Sequence, residues 1–124
     1  MVDALVDEPA NPKLLAVLAD HELHAPALID YEVASALRGH ALAGKLADPQ
    51  LADATEDFTA FQIVRYPLAP MMRDVLQLRE NFTAYDAAYI VLAQALEIPL
   101  VTADAKLAEA RKVGLDVQVL RADA

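Results

Sequence analysis

The chain has 124 residues, a length suited to one domain. Ten basic against nineteen acidic side chains give a formal net charge of −9 and a sequence pI near 4.5. That balance excludes a protein that coats nucleic acid or a membrane surface through a lysine and arginine excess. Hydrophobic residues make up 56% of the chain and the mean hydropathy is +0.27, which excludes intrinsic disorder. The absence of cysteine excludes disulfides, thiolate nucleophiles and cysteine zinc sites.

The longest nearly uncharged stretch, residues 87–96, is too short for a bilayer span, which needs about 18–20 apolar residues. No basic stretch followed by an apolar run opens the chain, so no export signal is read. The expectation is a soluble, cytoplasmic domain with no membrane association. With three glycines and no GxGxxG or GxxxxGK(S/T) pattern, the usual phosphate-cradling loops are missing.

In chain order, Asn11-Pro12 offers an N-cap with proline at the first helical position, and Leu14, Leu15, Val17 and Leu18 follow at helical spacing. Residues 23–27 read as a short strand and 27–43 as a long helix. Asp48-Pro49 repeats the capping device ahead of a helix over 51–61, and 63–66 is a second strand candidate. Pro70 begins a further helix with Met71, Val75 and Leu78 along one side. Residues 83–96 are apolar almost all round, which predicts a helix buried between other elements. Residues 99–102 and 117–120 complete the strands. Short strands alternating with helices argue for an α/β domain with a mainly parallel sheet flanked by helices. No repeat, low-complexity tract or linker divides it, so residues 1–124 read as a single domain.

Three acids stand where acids are costly. On a helical projection Glu32 falls inside the apolar stripe of Leu28, Ile29, Val33, Ala36 and Leu37, where a carboxylate must lose water. It fits either an acid at the stripe's edge that pairs with an arginine or one placed in a cleft. Asp86 is the only charge in residues 82–96. Thr83 and Asp86 have capping-box spacing, and a first-turn acid complements the helix dipole. Asp104 follows the apolar run of residues 98–102 and fits a helix N-cap. It also lies beyond the carboxyl end of a predicted strand, the edge where open α/β sheets place ligands. Together the three suggest carboxylates gathered in one cleft without a histidine, serine or cysteine constellation. Such oxygen-only sets suit Mg²⁺ or Mn²⁺. A metal of that kind activates water, stabilises phosphoryl charge and supplies the positive charge that the chain lacks.

Other residues carry weaker signals. His21 and His24 have the look of a metal pair, but residues three apart in a strand point to opposite faces. His40 reads as packing or surface. Tyr31, Tyr85 and Tyr89 are candidates for stacking on bases, with core packing the alternative favoured for Tyr89. Arg38 is too far round its helix from Glu32 for a simple i, i+4 pair and is a candidate for holding a phosphate or a partner. Lys106, Arg111 and Lys112 are the best local basic cluster.

Three stretches carry a family resemblance: Ala25-Pro-Ala-Leu-Ile-Asp-Tyr-Glu-Val-Ala-Ser-Ala-Leu-Arg38, Thr83-Ala-Tyr-Asp-Ala-Ala-Tyr-Ile-Val-Leu-Ala93 and Pro99-Leu-Val-Thr-Ala-Asp-Ala-Lys-Leu107. In this order and spacing the chain resembles the PIN-domain nucleases, specifically the VapC-type toxins of bacterial type II toxin–antitoxin systems. The resemblance implies a three-layer PIN-like α/β fold and Mg²⁺-dependent cleavage of RNA. It makes Glu32, Asp86 and Asp104 the acids that hold the metal, with Thr102 accompanying the last acid. It also implies a VapB-like antitoxin that masks the site, and it is compatible with a homodimer.

The family's first strand ends in a further aspartate, and here only Met1 and Val2 precede Asp3. The expectation is therefore a chain that starts past that strand, leaving its two neighbours in the sheet with unpaired backbone groups. Asp3 and Asp7 are the candidates to replace the missing acid, although both map onto the following helix. A start codon placed too far downstream fits better than a shortened or decayed gene, because the remaining chain is locally consistent. Two other functional classes stay open beside the nuclease: an inactive domain that only binds a partner peptide, and a plain α/β scaffold whose acids are caps.

Overall fold

The computed structural model describes residues 22–102, 109–112, 114–115 and 117–119. Asn11-Pro12, Asp3, Asp7, His21, Asp104 and Lys106 lie outside the described residues, as does the region on which the expectation of a missing first strand rests.

The first described element is strand β1 (Leu23–Pro26), whose Leu23, Ala25 and Pro26 are buried. A two-residue turn leads to helix α1 (Ile29–Leu42). Its Ile29, Val33 and Leu37 are buried at i, i+4 and i+8, and this stripe fixes which side faces the core. Helix α2 (Asp48–Ala60) follows. Its cap stands one residue earlier than the Asp48-Pro49 signal suggests. Ala47 is the N-cap, and its backbone N–H donates to Gln50 Oε1 at 2.9 Å. The glutamine thereby supplies the back-reaching half of a capping box, and Pro49 occupies an early position where no donor is required.

Strand β2 (Ile63–Tyr66) pairs parallel with β1, from Leu23 opposite Ile63 to Pro26 opposite Tyr66. The helix expected after Pro70 is a 3₁₀ turn (Ala69–Met71) running into the short α3 (Met72–Gln77). Val75 is buried there, with Met71 and Leu78 packed beside it, so the expected side is the one that faces inward. Helix α4 (Ala84–Leu96) has seven consecutive buried residues, from Ala87 to Ala93. It ends at Glu97, whose left-handed φ of 56° turns the chain toward strand β3 (Leu100–Thr102). Strand β4 (Val117–Val119) pairs parallel with β3, Leu100 opposite Val117.

Among the described residues the strands form two parallel pairs, β1–β2 and β3–β4. One core joins them. Ala25 of β1, Ile29, Val33 and Leu37 of α1, Tyr89, Ile90 and Ala93 of α4, Leu100 of β3 and Val117 of β4 belong to the same buried cluster. A second face of α4, Ala87, Ala88 and Val91, packs with Val75. A helix covered on both sides has no polar face to present, which explains the unbroken apolar run. No described helix is long and apolar enough to cross a membrane.

Candidate active site

Glu32 lies in the first turn of α1, just beyond the carboxyl end of β1. Its backbone N–H donates to Leu28 O at 3.0 Å, so its helical position is fixed, and it is half-buried beside the buried Val33. The Tyr89 hydroxyl of α4 donates to Glu32 Oε1 in a short hydrogen bond. This contact joins residues 57 positions apart and ties α1 to α4. The sequence allows an arginine partner; the hydrogen bond to Glu32 Oε1 comes from a tyrosine of α4.

Asp86 is half-buried in the first turn of α4. Tyr89 is three residues further on, so the two share a helix face. That face is the one that reaches Glu32. The capping reading of this segment is also correct. Thr83 is the N-cap, and its Oγ1 accepts from the Asp86 backbone N–H at 3.1 Å. Capping uses the backbone of Asp86, so the cap and a role for its carboxylate coexist.

Thr102 is the last residue of β3, opposite Val119 of β4. Arg38 is exposed and lies about 120° round α1 from Glu32 at 3.6 residues per turn. It lines a groove of 620 Å³ between α1 and α2, floored by Val33, Leu37, Leu51 and Phe58. Arg65 stands at the same groove, where its Nε and terminal nitrogen donate to both oxygens of Asp30 at 2.8–3.0 Å. These hydrogen bonds to Asp30 hold the Arg65 guanidinium above its already basic range, against a smaller opposing effect of desolvation. The Asp30–Arg65 pair therefore orients the start of α1 against β2.

The remaining sequence candidates have local structural roles. His24 Nε2 lies 3.0 Å from Glu22 Oε1, and its Nδ1 lies 2.8 Å from the Tyr66 hydroxyl. In the neutral tautomer that donates Nε2–H to Glu22, Nδ1 accepts from Tyr66. Both ring nitrogens are then used between protein groups, which answers the metal-pair reading for His24. His40 is half-buried near the end of α1. In the basic cluster, Arg111 donates to Val117 O at 2.7 Å and Lys112 pairs with Glu109 at 2.7 Å. These cations serve the local turn.

Sequence reasoning missed Tyr89 as part of the site. Its helical spacing from Tyr85 correctly places it inward, but nothing local reveals that a carboxylate waits opposite. Of the three acids singled out from the sequence, two are described: Glu32 is bonded to Tyr89 of α4, and Asp86 stands three residues before Tyr89. Among the described residues there is no cluster of three or more histidine, cysteine, aspartate or glutamate side chains able to hold a metal.

The PIN domain family matches residues 1–113 of this sequence. The chain belongs to that family. Among similar proteins, "Ribonuclease VapC1" of Mycobacterium tuberculosis is 36% identical over 123 residues, 98% of this chain and 92% of that protein. "VapC ribonuclease Mb0985" of Mycobacterium bovis is 34% identical over 104 residues, covering 84% and 82%. "Ribonuclease VapC3" of Pyrobaculum aerophilum is 37% identical over 100 residues, covering 76% and 75%. The VapC-type resemblance read from the three motifs is therefore correct, and it extends over nearly the whole PIN domain.

Proposed function

We propose that this PIN domain is a metal-dependent endoribonuclease toxin of the cytoplasm that hydrolyses RNA phosphodiester bonds. The observation that carries the reading is the hydrogen bond from the Tyr89 hydroxyl of α4 to Glu32 of α1, with Asp86 three residues before Tyr89 on the same helix. Membership of a family with ribonuclease relatives supports the reaction class.

Glu32 and Asp86 fit Mg²⁺, or Mn²⁺, in donor chemistry. Such an ion takes one or two carboxylates and completes its shell with water and substrate phosphate. Asp104 is proposed as the third acid, and Thr102 and Arg38 as substrate contacts. When bound, the ion lowers the pKa of a water and offsets charge developing on the phosphoryl group. The protein's part is positioning. Tyr89 fixes one Glu32 oxygen and with it the carboxylate plane, and the first turn of α4 fixes Asp86. Both are half-buried, where a charge interacts more strongly than in open water.

In this reading a VapB-like antitoxin keeps the toxin inactive and the active unit is a homodimer. The groove between α1 and α2 has the size and apolar floor to take side chains of an antitoxin segment. The same groove favours a second reading, a catalytically impaired PIN domain that acts only by binding the antitoxin.

The test is cleavage of a structured RNA by the full chain with Mg²⁺, with EDTA and Asp86→Asn as controls. The expected result is cleavage lost on chelation and in the variant, with the circular dichroism spectrum unchanged. Cleavage surviving in Asp86→Asn removes Asp86 from the site. A folded, inactive chain that binds the antitoxin tightly establishes the second reading.

A further inference from the structure

The chain has four tyrosines, three phenylalanines and no tryptophan. Tyr89 is buried, and Tyr66, Phe58, Phe61 and Phe82 are half-buried. Only Tyr31 and Tyr85 are exposed, at 80% and 66%. Each directly precedes one of the two candidate site acids among the described residues: Tyr31 stands before Glu32 in α1, and Tyr85 before Asp86 in α4. Tyr85 is also four residues ahead of Tyr89, one turn along the same helix face, and Tyr89 is bonded to Glu32. The two exposed rings therefore stand on the two helix turns that carry Glu32 and Asp86. An exposed tyrosine is ordinary by itself. Exposure confined to the two aromatics beside the two acids is a pattern that core packing does not explain.

We propose that Tyr31 and Tyr85 are stacking platforms for unpaired bases of a strand whose phosphate lies at the metal that Glu32 and Asp86 would hold. The proposal rests on the ribonuclease reading of this site and names the side chains that would hold unpaired bases, because a base inside a duplex has no free face to offer. Charge points the same way. A chain of net charge −9 gains little from an anionic strand, and Arg65, Arg111 and Lys112 are bonded within the protein. Stacking on a ring requires no protein charge and tolerates every base. It supplies affinity that does not depend on the basic residues.

The experiment uses the full chain with Ca²⁺ in place of Mg²⁺, the strand being checked for cleavage, and a single-stranded RNA of about ten nucleotides carrying 2-aminopurine. Binding is expected to change the probe's fluorescence. Tyr31→Ala and Tyr85→Ala should each weaken binding by roughly 5- to 100-fold, whereas Tyr31→Phe and Tyr85→Phe, which keep the ring, should bind as the native chain does. Both positions are exposed, so a melting curve for each of the four variants should match the native one. Alanine variants that bind like the native chain overturn the proposal, as does a native chain that binds no single strand. Alanine variants that lose only binding of a protein partner also overturn it and make the rings a protein-docking pair. The nuclease reading fails separately: ring-dependent binding by a chain that never cleaves with Mg²⁺ sinks that reading and keeps the platforms. Mg²⁺-dependent cleavage with unchanged KM in both alanine variants does the reverse.

Discussion

A hydroxyl held against a half-buried carboxylate does two jobs, and substitution separates them. Tyr89→Phe removes the donor to Glu32 and leaves the ring in the core. Hydrogen bonds to charged groups contribute about 1.5–3 kcal/mol. Glu32 is only half-buried, so water recovers part of that, and a loss of about 1–2 kcal/mol in urea unfolding is expected. Cleavage should persist with a higher Mg²⁺ requirement, because the carboxylate is present but no longer fixed. Glu32→Gln should behave the other way round. Its amide oxygen still accepts from Tyr89, so stability changes little while Mg²⁺-dependent cleavage is lost. Equal effects of the two variants on stability and on metal requirement would contradict this division of labour.

At the scale of the element, the first turn of α4 holds a cap and an acid within four residues. Thr83→Ala removes the Oγ1 acceptor for the Asp86 N–H and should cost about 1 kcal/mol in thermal unfolding. Asp86→Asn keeps that backbone bond and should unfold near the native temperature. If both substitutions lower stability alike, the Asp86 carboxylate is itself structural. Further along the helix, Ile90 is fully buried, and Ile90→Ala should cost about 2–5 kcal/mol by opening a cavity.

These elements were largely legible in the sequence because their signals are local. The unbroken apolar run marks α4 as covered on both sides, and Met71, Val75 and Leu78 mark the inner face of the segment around α3. The cap of α2 is displaced because Gln50 reaches back to Ala47, an acceptor that the Asp48-Pro49 signal does not register. The site's connections were not legible for a different reason. Tyr89–Glu32, Arg65–Asp30 and His24–Tyr66 span 57, 35 and 42 positions. Periodicity says which face of a helix turns inward and nothing about what stands opposite.

For the molecule as a whole, the distribution of charge sets how RNA can be held. Protein groups that neutralise phosphates release counterions, and on single strands each such contact contributes about −0.7 to the slope of log affinity against log salt. The net charge is −9. Arg65 is clamped by Asp30, Lys112 pairs with Glu109, Arg79 donates to Leu76 O and Arg111 to Val117 O. Arg38, exposed at the α1–α2 groove, is one cation left to meet a phosphate. With about two phosphate contacts, affinity for a single strand with Ca²⁺ in place of Mg²⁺ should fall by only about sevenfold between 50 and 200 mM salt. The two tyrosine rings, which release no ions, should account for most of the binding that survives. Fluorescence titrations at four salt concentrations measure this slope directly. A steep slope, with affinity falling by about a thousandfold over that range, would require about seven phosphate contacts and overturn this expectation. A shallow slope that stays shallow in Arg38→Ala would show that metal and stacking, and not this cation, hold the strand.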